Sequence, residues 1–222
     1  MAAGNQSTAH QARMDEIYRV QRHVYDLTRK YYLLGRDEAV RDLALPYGGS
    51  VLEVGCGTAR NCIAIARRYP HATVFGIDIS REMLASAAKK VARERLGARI
   101  FLGEADATSF DPERLFGRAQ FDRILFSYTL SMIPPWQDAL RHAAGLLAPG
   151  GVLSIVDFGD QRDLPSWFRS ALRAWLARFD VTPRDELPTW IASLAQEQGL
   201  ASQCDQVRRG YAMRAALTCA AR

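Results

Sequence analysis

Hydrophobic residues along this chain alternate between two spacings, and the alternation predicts strands and helices in turn. Short apolar runs that end at glycine or aspartate predict buried strands over residues 51–54 and 73–77. After these runs, apolar residues recur at every third or fourth position, which predicts amphipathic helices over residues 59–69 and 81–95. The pattern is typical of a parallel sheet with helices on both faces, a Rossmann-like, doubly wound α/β fold.

The rest of the chain adds five predicted strands and several helices. The strands cover residues 99–102, 123–126, 152–156, 201–207 and 211–220. The helices cover residues 136–147, 164–179 and 184–198, so a helical insertion near 162–198 separates the fifth strand from the last two. Two further helices, over 10–30 and 37–45, precede the first strand. We therefore expect an N-terminal helical lid over residues 1–49 and a cofactor-binding domain over residues 50–222.

Composition limits the class of protein. Hydrophobic residues make up 48% of the 222 residues, which is ample for a core, and no apolar run is long enough to span a bilayer. The N-terminus has no apolar signal core, so we expect a cytoplasmic protein. The four cysteines form no C-x-x-C pair, and we expect neither zinc nor a disulfide. A net charge of +5 permits either an anionic partner or a simple solvated basic surface.

A glycine turn after the first strand carries the main chemical signal. Gly55 and Gly57 let the backbone pass close to a ligand, and Asp78, about twenty residues later, is placed to accept the hydroxyls of a ribose. This combination predicts an adenosine-containing cofactor. A dinucleotide is disfavoured, because Arg60 stands where that fingerprint needs a small residue for close packing of helix and strand.

The segment 51–60, VLEVGCGTAR, resembles motif I of the class I S-adenosylmethionine (SAM)-dependent methyltransferases, with Ala59 where a third glycine is usual. The resemblance implies SAM as the cofactor, a mostly parallel seven-stranded sheet and a C-terminal antiparallel hairpin. It also implies that Glu53 orients the methionine end of SAM, and that the segment after the third strand holds the adenine. The implied cofactor-binding residues are Glu53, Gly55, Cys56, Gly57, Asp78, Ile79, Asp106, Ala107 and Ser127.

Ser127 and Tyr128 follow the fourth predicted strand, where the resemblance places the sulfonium, and Tyr128 is a candidate catalytic residue. DNA and protein N-methyltransferases often carry a polar residue followed by Pro-Pro-aromatic at this point. Here Pro134-Pro135-Trp136 comes too late in the chain and predicts the start of a helix instead. Since no basic tract or RNA-binding module is visible either, we expect no nucleic-acid partner.

Residues 25–37, YDLTRKYYLLGRD, resemble the N-terminal segment of bacterial betaine-lipid N-methyltransferases. The resemblance implies an N-methyltransferase that converts diacylglyceryl-homoserine, a membrane lipid, to its trimethyl form without a metal. Tyr25 and Tyr32 are candidate catalytic residues that orient the attacking amine, and Arg36 is a candidate substrate-binding residue. We expect the N-terminal helices to lie over the cofactor site.

The predicted helix over 164–179 carries one apolar face, flanked by arginines. Such a helix either packs on the core or on a second copy of the chain, or lies in the interface of an anionic membrane. Other acceptors also stay open, namely phosphatidylethanolamine, a quinone or a soluble small molecule. An alternative of another class is a non-catalytic, SAM-binding regulatory subunit. The sequence leaves the oligomeric state open.

Overall fold

The computed structural model describes residues 33–221, and a seven-stranded sheet forms its centre. The strands in chain order are β1 (Ser50–Val54), β2 (Thr73–Asp78), β3 (Ile100–Glu104), β4 (Phe121–Ser127), β5 (Leu147–Phe158), β6 (Ala201–Val207) and β7 (Ala212–Thr218). Residues 1–32 lie outside the described part, so the helix expected over 10–30 stays a prediction.

The strands lie in the order β3-β2-β1-β4-β5-β7-β6. The first five strands are parallel, whereas β7 is antiparallel to β5 and β6 is antiparallel to β7. This arrangement confirms the predicted Rossmann-like fold with its C-terminal antiparallel hairpin. Val54 lies opposite both Ile77 and Phe126, so the loops that follow β1, β2 and β4 leave the sheet side by side.

Helices occupy most of the connections between the strands. They are α1 (Arg36–Arg41), α2 (Arg60–Arg68), α3 (Arg81–Arg93), α4 (Pro112–Phe116), α5 (Trp136–Ala144), α6 (Ser166–Ala177) and α7 (Leu187–Gln198). The sequence pattern missed α4, which is only five residues long and begins where the Asp111 side chain accepts hydrogen bonds from two backbone amides. Ser80 is the N-cap of α3, since its Oγ accepts a hydrogen bond from the Met83 amide at 3.3 Å.

Side chains that alternate along the strands divide the core into two clusters, one on each face of the sheet. Val51 belongs to a cluster that also contains buried residues of α1, α2, α3 and α6. Leu52 and Val54 belong to the other cluster, which contains buried residues of α5 and α7. Alternation with a period of two is expected for a strand. Because helices cover both faces of the sheet, all five residues of β1 are buried.

Several boundaries differ from the sequence expectation, among them two helix ends. The helix predicted over 136–147 ends at Ala144, because Leu147 already pairs with Phe121 at the start of β5. The register of this pairing shifts between Phe121 and Arg123, so β5 accommodates Pro149, Gly150 and Gly151, which are residue types typical of turns. The helix predicted over 37–45 ends at Arg41.

Helices α6 and α7 lie between β5 and β6 and pack on opposite faces of the sheet. Within residues 33–221, no helix has the length and apolar character needed to cross a bilayer.

Candidate active site

Four loops meet at the carboxyl-terminal edge of the parallel strands. The Gly55 and Cys56 amides both donate to the carbonyl of Ile77, at 2.8 and 2.9 Å, which joins the loop after β1 to the end of β2. The Ala105 amide donates to the carbonyl of Asp78 at 3.1 Å, which brings the loop after β3 alongside. Ligands of open α/β sheets bind at this edge, where the strand order reverses.

The glycine loop after β1 is shaped by its packing. Gly55 has a φ of +72°, and a Cβ at this position would lie 2.2 Å from Cγ2 of Thr129, in the loop after β4. No larger residue fits there without displacing that loop. Gly57 has a φ of +53°, and nothing lies within 4 Å of the point where its Cβ would be. The loop therefore packs tightly beneath Gly55 and is open above Gly57, as a ligand-binding turn requires.

Ala59, which replaces the usual third glycine, keeps the left-handed conformation that a glycine adopts more easily, with a φ of +60°. An alanine in this conformation costs about 1–2 kcal/mol. The side chain is fully buried, so contacts of its methyl group offset part of that cost.

A cavity of about 430 Å³ opens beside this loop. A volume of this size is typical of small-molecule sites. The segment before β1, β1 itself, the glycine loop and helices α2 and α3 contribute lining residues, together with one residue at the end of β4. Among them are Leu33, Arg36, Asp37, Glu53, Gly55, Cys56, Gly57, Asn61, Met83 and Ser127.

Glu53 provides a buried acid in the cavity wall, with 2% of its surface exposed. Its Oε1 accepts from Asn61 Nδ2 at 2.7 Å, and its Oε2 accepts from the Cys62 thiol at 3.0 Å. Burial raises the pKa of Glu53 to about 7, although both hydrogen bonds and the positive charge of Arg36 act in the opposite direction. Glu53 therefore changes its charge near neutral pH and would gain from a cationic ligand beside it.

Sequence reasoning missed Asn61 and Cys62 as partners of Glu53. Asn61 is a buried polar residue in the first turn of α2, where the surrounding pattern predicts an apolar face. That mismatch is the signal that could have identified it, because a buried amide requires a polar partner. Cys56 and Cys62 are both buried, whereas Cys204 is exposed.

The segment before β1 closes one side of the cavity. Leu33, Arg36 and Asp37 all line it, and Arg36 is only 8% exposed. Asp37 forms an ion pair with Arg60 at the start of α2, with 3.1 Å between oxygen and nitrogen. The described part of the expected lid thus lies beside the glycine loop, and Arg36 is one of its residues in the cavity wall.

Asp78 lies directly beside the glycine loop. Its Oδ2 accepts from the Gly57 amide at 2.8 Å, and its Oδ1 accepts from the Ser80 amide at 2.9 Å. Asp78 therefore holds the loop in shape, and Ile79 follows it half-buried. A ribose contact by Asp78 stays a prediction.

Asp106 and Ala107 lie half-buried in the loop after β3, at the same edge of the sheet. The Asp106 Oδ1 accepts from both the amide and the hydroxyl of Thr108, at 2.9 and 2.7 Å. The carboxylate therefore also closes a local turn. The adenine contacts expected of this pair stay predictions.

Ser127, at the end of β4, lines the cavity, and its buried hydroxyl has no hydrogen-bond partner among residues 33–221. A buried hydroxyl without a partner is costly, so it fits a site that a polar ligand completes. The Glu53 carboxylate fits the ammonium of SAM, and the space above Gly57 admits a close approach of the ligand. On these grounds the residues present fit SAM.

Tyr128 differs from the sequence expectation. It is 2% exposed, its ring packs edge-on against Phe158, and its hydroxyl donates to the carbonyl of Leu34 at 2.5 Å. The chain turns at Tyr128 with a φ of +56°, which carries the side chain into the core rather than into the cavity wall. The expected catalytic contact of Tyr128 is therefore corrected. Tyr25 and Tyr32 lie outside the described residues.

Comparison with known proteins agrees with this geometry. Residues 51–151 match the family described as "Methyltransferase domain". The chain is 31% identical over 139 residues to the ubiquinone/menaquinone biosynthesis C-methyltransferase UbiE of Syntrophotalea carbinolica, covering 60% of this chain and 56% of that protein. It is 38% identical over 104 residues to the trans-aconitate 2-methyltransferase of Methylobacterium radiotolerans, covering 47% of this chain and 36% of that protein.

A solved structure from Haloferax volcanii, of a methyltransferase in complex with the Trm112 methyltransferase activator, has a TM-score of 0.73 to this chain. The two chains are 13% identical, and the match covers 93% of this chain and 98% of that one. At this identity the likeness shows the fold alone.

Residues 51–151 match a methyltransferase domain, and the sheet order and the glycine loop agree with the expected class of SAM-dependent methyltransferases, whose cofactor is SAM. The predictions of the enzyme class and of the cofactor are thereby confirmed. The chain spans 56% and 36% of the two curated relatives, so their own reactions do not identify the acceptor of this protein.

Proposed function

We propose that this protein transfers methyl groups from SAM to the amine headgroup of a membrane lipid. The proposed lipid is diacylglyceryl-homoserine, which three successive transfers convert to the trimethyl betaine lipid. The observation that carries the proposal is the position of Arg36 and Asp37. These two residues end the segment that resembles betaine-lipid N-methyltransferases, and both line the cavity beside the glycine loop.

Methyl transfer requires alignment of the reactants and exclusion of water more than it requires acid or base groups. When bound, SAM supplies a methyl group that is displaced in line from its sulfonium. Glu53, in the cavity wall, would hold the ammonium of the methionine end, while Ser127 would offer its hydroxyl near the reacting centre. Leu33 and Arg36 would limit the access of water. The attacking amine must be neutral, and each proton that it loses passes to solvent.

The exposed tip of α6 supports a membrane as the source of the acceptor. Trp167 is 72% exposed and Phe168 37% exposed, and their rings form an edge-to-face pair 5.7 Å apart. The rest of the expected apolar stripe, including Leu172 and Trp175, packs against the core cluster. Arg169 is exposed beside the pair, so the tip combines aromatic rings with positive charge, as interfacial helices do. We propose that this tip contacts an anionic membrane surface.

A quinone is the second candidate acceptor. It is supported by the identity of 31% to the UbiE methyltransferase, which extends over 60% of this chain. A quinone precursor is also dissolved in the membrane, so the proposed contact of the α6 tip is compatible with both candidates.

The test uses the full chain, methyl-labelled SAM and vesicles that contain one candidate acceptor at a time. Diacylglyceryl-homoserine should gain up to three methyl groups by mass spectrometry, whereas phosphatidylethanolamine should gain none. Labelling of a demethylated quinone alone would overturn the proposal in favour of the second candidate. SAM binding without any labelled product would instead indicate a non-catalytic subunit.

Vesicle flotation tests the membrane contact separately. Replacing Trp167 and Phe168 by serine should reduce binding to anionic vesicles, because apolar insertion and charge act together there. Tyr47, which is 84% exposed elsewhere on the surface, provides the matched control as Tyr47→Ser. Equal flotation of both variants and the wild type would refute the contact.

A further inference from the structure

Tyr128 stands out because its backbone conformation is unfavourable for its residue type. It follows β4 directly with a φ of +56°, in the left-handed region that bulky side chains rarely adopt. Backbone outliers of this kind persist only where the surrounding structure enforces them, and they cluster at functional sites. The contacts of Tyr128 show which part of the chain this turn positions.

Three contacts fix Tyr128, one through its backbone and two through its side chain. Its amide donates to the carbonyl of Val156 at 2.8 Å, which anchors the turn to β5. Its ring packs edge-on against Phe158, with 4.8 Å between the ring centroids. Its hydroxyl then reaches the carbonyl of Leu34, 94 residues earlier in the chain, at 2.5 Å. The hydroxyl thus ties the segment before α1 to the end of the sheet.

The tied segment forms part of the cavity wall. Leu33 lies immediately before Leu34 and Arg36 two residues after it, and both line the cavity. Gly35 between them has a φ of +84° and begins α1 without a side-chain cap. A Cβ at Gly35 would lie 3.5 Å from Val156, so the segment already rests on the strand to which Tyr128 is anchored.

The other end of α1 is held by a second tyrosine. Tyr69, after α2, donates its hydroxyl to the carbonyl of Arg41 at 2.8 Å. Two tyrosine hydroxyls therefore hold α1 at its two ends. Tyr128 holds the start of the helix, beside the cavity, and Tyr69 holds its end, away from the cavity. Arg41 is not among the residues that line the cavity.

We infer that Tyr128 is a positioning residue, whose hydroxyl holds the start of α1 so that Leu33 and Arg36 stay in the wall of the cofactor cavity. This role does not depend on which acceptor the protein methylates. It requires only that the cavity beside the glycine loop binds SAM.

The pair of tyrosines provides a matched experiment. Tyr128→Phe and Tyr69→Phe each remove one hydroxyl that bonds to a backbone carbonyl of the same helix region. Titration calorimetry with SAM should show a loss of affinity of about threefold to tenfold for Tyr128→Phe, the effect of one such bond, and no change for Tyr69→Phe. The melting temperatures of the two variants should fall by similar small amounts, because phenylalanine keeps the ring packing.

Hydrogen exchange of backbone amides gives a second readout that needs no ligand. The Ala39 amide donates to Gly35 at the start of α1, and the Asp42 amide donates to Glu38 at its end. Tyr128→Phe should accelerate exchange at Ala39, and Tyr69→Phe should accelerate it at Asp42. Unchanged exchange at Ala39 would overturn the inference, as would equal losses of SAM affinity in both variants. If the wild type binds no SAM, the proposed function fails, whereas the exchange experiment still tests the role of Tyr128.

Discussion

Replacing Glu53 by glutamine should change how the stability of the protein depends on pH. Glu53 is fully buried, and burial raises its pKa from 4.5 to about 7. Folding therefore favours the protonated form. The stability that this form provides is fully present below about pH 4.5 and is lost as the pH rises through about 7, because the folded state then has to bury a charge. Glutamine carries no charge at either pH, so Glu53→Gln removes this dependence.

The size of the effect follows from the two pKa values. A rise from 4.5 to about 7 corresponds to about 3 kcal/mol in the free energy of unfolding. Most of it, about 2–3 kcal/mol, should be lost between about pH 5 and pH 8. Over that interval the variant should gain this amount of stability relative to the wild type. Urea unfolding of both proteins at the two pH values measures the difference directly.

The affinity of the wild type for SAM should rise with pH, whereas its stability falls. A cationic ammonium beside Glu53 favours the carboxylate, so the wild type should bind SAM more tightly as the pH rises through about 7. Glu53→Gln should bind SAM more weakly at about pH 8, by roughly tenfold or more, the cost of a lost hydrogen bond to a charged group. Calorimetry in two buffers of different ionisation enthalpy should detect proton release from the wild type alone.

Asp157 supplies the matched control for this prediction. It is also buried, and desolvation raises its pKa, but it accepts hydrogen bonds from the Ser131 and Phe158 amides outside the cavity wall. Asp157→Asn should therefore alter stability and its pH dependence without altering SAM affinity. The reasoning is refuted if Glu53→Gln keeps the wild-type pH dependence of stability, or if both variants lose SAM affinity equally.

Three further substitutions test the site and the core. Gly55→Ala should lower the free energy of unfolding by at least about 2 kcal/mol and reduce SAM binding, because the added methyl meets Thr129 at 2.2 Å; chemical denaturation and calorimetry measure the two effects. Asp78→Ala should weaken SAM binding severalfold to a hundredfold, about 1–3 kcal/mol, since the Gly57 amide also loses its acceptor; unchanged affinity would refute the assigned role. Trp136→Ala should destabilise the fold by about 3–5 kcal/mol, visible in thermal unfolding, because the indole is 1% exposed.

The sheet and its loops could be predicted from the sequence because each depends on a local signal. Apolar runs mark the strands, and a glycine or aspartate marks the point where each strand ends. Gly55, Asp78, Asp106 and Ser127 each lie at or just after the end of a parallel strand, and they share one edge of the sheet because parallel strands place their carboxyl ends together. The boundary errors arose where a tertiary contact overrides a local signal, as when β5 continues through Pro149.

The orientation of single side chains could not be predicted in the same way. Nothing in the residue type of Tyr128 indicates a left-handed turn, because that conformation is typical of glycine or asparagine and is imposed here by the contacts with β5. The partners of Glu53 could not be predicted either, since Asn61 and Cys62 reach its carboxylate only once α2 has packed against β1. Both cases depend on long-range packing, which a residue pattern does not record.

The structure links the position of α1 to the charge of the cavity. Arg36 is carried by α1, and its positive charge lowers the pKa of Glu53 against the effect of burial. If the start of α1 moved away, Glu53 would lose this charge, its pKa would rise further, and more of it would be neutral at physiological pH. A neutral Glu53 attracts an ammonium less strongly. The hydroxyl of Tyr128, by holding the carbonyl of Leu34, therefore supports both the wall of the cavity and the ionisation of the acid within it.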